Sequence, residues 1–278
     1  MSFLVLLLAI LVEKFSALRQ RVQRDGMWLA ELTRLESGPK TAGHSWLILA
    51  LTVLLPVLLL ALVLVVLGSV ANGWLALPVH LLVLIYSLGR GDLIVALGPF
   101  RDACRRGDEE AAAIVAERDM GVVAADSEAL LQGVQGYLLW QGYQSFFAVI
   151  FWYFLLGPVA ALAYRLLALA AEHGKAPGVA ENAAKLRHAF DFIPVRLLAA
   201  SFALVGNFVA VSRVMLLELL NWEISAAQLV ANVGRVAGEV PAPVVGVEGV
   251  NSLDVLWELL LRAAIVWYAG FALWTLLV

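Results

Sequence analysis

Long apolar runs alternate with short polar connections along this chain, and the runs set the fold class. Ser2–Ala17 is apolar apart from Glu13-Lys14, and it ends where Arg19, Arg21 and Arg24 arrive. About 20 apolar residues cross the hydrocarbon core of a bilayer, so this run predicts a slightly short helix with its lower end at the interface. Trp46–Leu67 carries no charge and opens on Trp, a residue favoured at the membrane–water boundary. Gly68–Gly73 predicts a tight turn, and Trp74–Leu88 brings the chain back as the second arm of a helical hairpin. Pro56 and Pro78 are expected to kink the two arms, which membrane helices tolerate.

Gly89–Gly136 is the longest polar excursion of the first half. Within it Asp108–Met120 predicts a soluble helix, with Asp108, Glu109 and Glu110 at its positive end and Arg118 near its negative end. Tyr137–Ala171 is apolar and far too long for one perpendicular span, and Gly157-Pro158 sits near its middle. Pro removes a backbone donor there and Gly supplies a joint, so either one kinked helix runs through or the chain turns back. After the polar Glu172–Asp191, Phe192–Leu220 predicts another span, holding Arg196, Asn207 and Arg213. Asn221–Asp254 predicts an amphipathic helix followed by a Val/Pro/Gly-rich loop over Val240–Gly249. Val255–Val278 predicts the last apolar helix, with Glu258 and Arg262 in its first turns. The pattern is that of an all-α membrane protein, a polytopic helical bundle of about five to six membrane segments, one of them broken at Gly157-Pro158. Residues 1–278 are expected to form a single polytopic membrane domain, with 89–136 a cytoplasmic helical insertion within it.

Composition agrees: 62% of the 278 residues are hydrophobic and 15% are charged, with a mean hydropathy of +0.88. Soluble domains carry about 25% charged residues, so this chain has too few charges to cover a surface facing water. The N-terminal run lacks the positive leader and small-residue cleavage site of a signal peptide, and a retained anchor is expected. A net charge of −3 without a basic tail or a nucleic-acid motif excludes nucleic acid as a partner. The lone Cys104 has no internal disulfide partner, and His44, His80, His173 and His188 lack ligand spacing, so no metal and no cofactor is expected.

Lys and Arg set the orientation. They cluster in Arg19–His44 and in Gly89–Gly136, are missing from Gly68–Gly73, and dwindle to Arg235 in Asn221–Asp254. Cytoplasmic placement of the first two segments follows, with the N-terminus outside. Lys175, Lys185 and Arg187 in Glu172–Asp191 favour a chain that turns back at Gly157-Pro158.

Ionisable residues within apolar helices are costly and need partners. Glu13 and Lys14 lie one turn from a helix end, where snorkelling to water competes with a functional role. Arg90 and Asp92 lie between glycines but lack the spacing of a phosphate loop. Tyr164-Arg165, Asp191, Arg196 and Asn207 form a polar seam. At about 100° per residue, Arg196 and Asn207 share nearly one helix face. Arginines gathered there would suit an anionic ligand. The alternative is a salt bridge, Arg165 or Arg196 with Asp191 or Glu13, that only holds the bundle. No GxSxG, HExxH or CxxC pattern exists to carry covalent or zinc chemistry.

The order of these features resembles the AmpE/CobD family over most of the chain. The resemblance rests on Leu8-Ala9-Ile10-Leu11-Val12-Glu13, Glu117-Arg118-Asp119, Gly157-Pro158 with Ala163-Tyr164-Arg165, Asp191-Phe192-Ile193-Pro194-Val195-Arg196, and Asp254 with Arg262. One branch of that family makes adenosylcobinamide phosphate. The other, AmpE, comprises inner-membrane proteins linked to β-lactamase induction and paired with a cell-wall-recycling amidase. The synthases carry His-Pro-Val after the first helix, where this chain reads Arg19–Trp28 without one. They carry a Glu-Asn…Asp-Gly cluster before Gly-Pro, where the corresponding stretch of this chain, Gly136–Tyr153, is apolar and aromatic with Gln135, Gln141 and Gln144 as its polar members. Their Asn-Thr-Leu-Asp after Tyr-Arg is here Leu166-Leu167-Ala168-Leu169, while Ala203–Phe208 is similar to AmpE sequences.

The resemblance therefore implies a non-catalytic regulatory or sensory protein of the bacterial inner (cytoplasmic) membrane, multi-pass, linked to cell-wall recycling and β-lactamase induction. Its expected partners are membrane lipid and an anionic cell-wall-derived small molecule, with Glu13, Tyr164, Arg165, Asp191, Arg196 and Asn207 as the ligand-binding residues. A membrane synthase related to the cobinamide branch, and a transporter of muropeptide-like anions using the broken helix, remain as alternatives.

Overall fold

Backbone polar groups have no water to bind within a lipid core, so an apolar run must satisfy them internally, and helices do so. The computed structural model describes Val5, Leu8 and residues 23–38, 41, 43–69, 74–89, 93–176, 178–240 and 247–277, and within these it is all-helical. In chain order the helices are α1 (Gly26–Ser37), α2 (Ser45–Leu49), a π turn (Ala50–Leu54), α3 (Leu55–Gly68), α4 (Ala76–Ser87), α5 (Leu93–Ala96) and α6 (Gly98–Arg105). There follow α7 (Glu109–Met120), α8 (Ser127–Gly142), a second π turn (Tyr143–Phe147), α9 (Ala148–Leu156) and α10 (Pro158–His173). The last four are α11 (Val179–Val205), α12 (Phe208–Glu218), α13 (Ala226–Ala237) and α14 (Val247–Leu277).

Among the described residues three stretches are long and apolar enough to cross a membrane: Ser45–Gly68, Val179–Val205 and Gly249–Leu277. The first is apolar all round. No side chain of α3 is buried, and Leu58, Leu59, Leu62, Val65 and Val66 stand exposed, as lipid contact requires. Pro56 sits in the first turn of α3. It has no N–H to return to the Thr52 carbonyl four residues back. That carbonyl, in the π turn, takes the Trp28 indole N–H instead, at 2.9 Å. Pro78 lies in the first turn of α4, where a missing N–H costs nothing, so the kink expected there is not needed.

The chain divides into two compact units, Met1–Gly89 with Ala148–Asp191 and Arg90–Phe147 with Phe192–Val278. In the first, α10 is the central element. It packs against α3, α4 and α9, and Leu166 to Ala170 are buried without interruption. Helices α9 and α10 pack against each other although Gly157 alone separates them, so the chain reverses there. Gly157 has φ 78° and ψ −166°, a region open essentially to glycine alone. The Tyr137–Ala171 run is thus a turn-back rather than a kinked rod.

In the second unit α8 is central, packed by α7, α13 and α14. The buried Gln135 amide donates to the Ser252 hydroxyl at 2.9 Å, and the Trp267 indole donates to Ser201 at 2.7 Å. Asp108 caps α7 and Asp126 caps α8, each carboxylate accepting a backbone N–H from the first turn. The soluble helix expected over Asp108–Met120 is therefore α7 with its cap. Cys104 is buried.

Two boundaries differ from the hydropathy pattern. Helix α11 starts at Val179, inside the segment that reads as a polar connection, and stops at Val205. A separate helix, α12, follows, so Phe192–Leu220 is not one span. The last helix starts at Val247 rather than Val255. Hydropathy marks where side chains are apolar, and helices extend past that limit wherever neighbours pack against them.

Candidate functional site

The first unit gathers five ionised groups and one tyrosine around α10. Tyr164 and Arg165 are consecutive, so their side chains leave α10 about 100° apart and serve different neighbours. The Tyr164 hydroxyl donates to Asp191 Oδ1 at 2.8 Å, and both residues are buried. Arg165 Nη2 lies 3.2 Å from Asp25 Oδ2, and only 2% of the Asp25 side chain is exposed. Asp25 stands at the N-cap of α1, yet its carboxylate caps no N–H of that helix and turns to Arg165. Arg187 sits one turn before Asp191 on α11 and pairs with it at 3.8 Å, and with Glu172 of α10 at 3.6 Å. Arg165 is also within electrostatic reach of Glu172 and Tyr86.

A lone charge among apolar side chains is held only by a partner. Here two guanidiniums, Arg165 and Arg187, face three carboxylates, Asp25, Glu172 and Asp191. The arginines are compensated by the chain itself, and the cluster is net acidic. Such a set can change state by exchanging partners. It does not leave a bare cation.

The remaining seam residues are elsewhere. Arg196 and Asn207 belong to the second unit and bracket one helix. The Asn207 side chain accepts the Ala210 N–H at 3.0 Å and so caps the start of α12. Arg196 donates to the carbonyls of Leu219, Glu218 and Asn221 at the other end of that helix, and to Phe192. Its guanidinium lies 3.6 Å from the centre of the Phe192 ring. Among the described residues Arg196 is held by these backbone carbonyls rather than by Asp191, one of the partners expected from sequence. A shared face for Arg196 and Asn207 is also not realised, because α11 ends before Asn207. Glu13, Lys14, Arg90 and Asp92 lie outside the described residues.

Sequence reading passed over Asp25, Glu172 and Arg187 as site members. The Arg187-Asp191 spacing of one helical turn was a usable signal. Asp25 carried none, since it falls in a polar connection and meets Arg165 only after folding.

These observations define a helical membrane protein whose half-buried Arg165 and Arg187 are matched by its own carboxylates. Residues 1–236 match the sequence profile of the family described as regulatory signalling modulator protein AmpE, and the chain belongs to that family. Neither a curated protein nor a solved structure gives a significant match.

Proposed function

We propose that the chain is a multi-pass protein of the bacterial inner membrane that modulates β-lactamase induction and cell-wall recycling by binding and signalling, without a reaction of its own. The observation that carries this reading is the family match over residues 1–236. The three membrane-length helices support it. So does the segment before Gly157, where synthases of the related branch place acidic residues. Here Gln144 donates to Gln141 at 3.0 Å, and the rest is apolar and aromatic without an acidic residue.

In this reading the membrane segments number about five to six: the N-terminal run, Ser45–Gly68, the shorter α4, the α9–α10 turn-back, Val179–Val205 and Gly249–Leu277. The ligand is an anionic molecule derived from the cell wall, and it acts by exchange. Its acid group takes Arg165 or Arg187 from Asp25 or Glu172, which changes how α10 is held.

The test is β-lactamase induction in cells lacking the chain, restored with the wild type or with Arg165→Lys, which keeps a positive charge beside Asp25 but not the planar fork, alongside the membrane level of each. Restoration by the wild type, with loss of induction by Arg165→Lys at normal membrane levels, is the expected result. Protein and induction lost together would reduce the network to a structural role. Rescue of a cobinamide-synthase-deficient strain would replace the proposal with the enzymatic one.

A further inference from the structure

Another polar site lies in the second unit, where α11 stops inside an apolar segment. A Cβ on Gly206 would stand 2.5 Å from the Ala237 carbonyl oxygen, so only glycine permits this approach. The Asn207 N–H, which would otherwise continue the α11 ladder onto Ala203, donates to that Ala237 oxygen at 3.1 Å. The C-terminal ends of α11 and α13 therefore meet, and each carries partial negative charge. Glu239, just past α13, adds a full one, and it receives the Asn207 side-chain amide at 2.5 Å.

Glu239 has φ 49°, the single positive φ at a non-glycine residue among the described residues. That backbone region suits Gly or Asn far better than Glu. The carboxylate, not the backbone fit, accounts for a glutamate here. Asn207, Glu239, Leu259 and Arg262 help line a cavity of about 360 Å³. Arg262 is the one cation among the described lining residues, and one arm of its guanidinium is held by Glu258 at 2.9 Å.

We propose that this cavity binds a small zwitterion, a primary ammonium joined through a short spacer to a carboxylate or phosphate. The three N–H donors of the ammonium match the Glu239 carboxylate and the helix-end carbonyls. The acid group matches the planar fork of Arg262. A quaternary ammonium has no N–H and does not fit. The chemistry is shared by a free dipeptide and by a phosphatidylethanolamine headgroup. The site stands independently of the signalling role, since no residue of the α10 network takes part.

The experiment is thermal unfolding of the full chain in phosphatidylcholine nanodiscs, with glycylglycine added in one arm and phosphatidylethanolamine replacing part of the lipid in the other. A rise in Tm in the first arm identifies a soluble zwitterion, and a rise in the second alone identifies the headgroup. Either response should vanish in Glu239→Gln and in Arg262→Gln. Propylamine and propionate, each half of the ligand, should give smaller shifts than glycylglycine. Glu239→Gly separates binding from folding, because it relieves the positive φ. Its basal Tm should rise by a few degrees while the response is lost. No response in either arm, or a response that survives these variants, overturns the proposal.

Discussion

Arg165 carries its charge among apolar side chains, and Asp25 makes that tolerable at a distance of 3.2 Å. Removing either partner takes the opposing charge away from the other, and breaking a buried pair costs about 3–5 kcal/mol. Asp25→Asn or Arg165→Gln alone should therefore lower stability by an amount of that order. Removing both together, as Asp25→Leu with Arg165→Leu, should recover much of the loss. Thermal unfolding of the set in detergent checks this as a double-mutant cycle. A double variant as damaged as the sum of the two singles would show that the charges do not act as a pair. Tyr164 belongs to the same argument, because its hydroxyl is buried and engaged by Asp191.

Elements are set here by what interrupts them. Pro56 leaves a carbonyl that Trp28 satisfies, and Asn207 and Arg196 hold the two ends of α12. The sharpest interruption is Gly157, where nothing lies within 4 Å of an added Cβ and the constraint is the backbone alone. Gly157→Ala should cost about 1–3 kcal/mol, since its φ and ψ are essentially glycine-only. A lower Tm with wild-type helix content by circular dichroism is the expected signature. An unchanged Tm would mean that α9 and α10 do not need the turn as it stands.

At the scale of the whole molecule, orientation is the open variable that a bilayer decides. The distribution of Lys and Arg predicts that Gly89–Gly136 and the connection at Lys175, ahead of α11, both face the cytoplasm. Cys104 is a poor reporter of this, because burial, reinforced by the Glu109 carboxylate, holds its thiol above the ordinary 9.0. Little thiolate then forms near neutral pH. Exposed positions serve better. Glu117→Cys and Lys175→Cys, each in a Cys104→Ala background, should both resist an impermeant maleimide in intact cells and react after permeabilisation. Labelling of the Lys175→Cys protein in intact cells, with protection of Glu117→Cys, would put the two segments on opposite sides.

The helical membrane class, the α7 helix with acidic residues at its start and the interruption at Gly157-Pro158 are legible along the chain, and so is the family. The first three rest on features local to a few turns: apolar run length, carboxylates at the positive end of a helix, a residue without a Cβ beside one without an N–H. The sequence could also single out Tyr164, Arg165 and Asp191 as costly, because polarity inside an apolar run is visible in one dimension. Which charge meets which is settled by folding. Asp25 and Arg165 are 140 residues apart, and no periodicity links them. Asn207 lies outside α11 because a carbonyl from α13 takes its N–H, and Arg196 caps α12 because that helix ends beside it. Partner choice is a property of packed segments, and packing is settled between helices rather than along one.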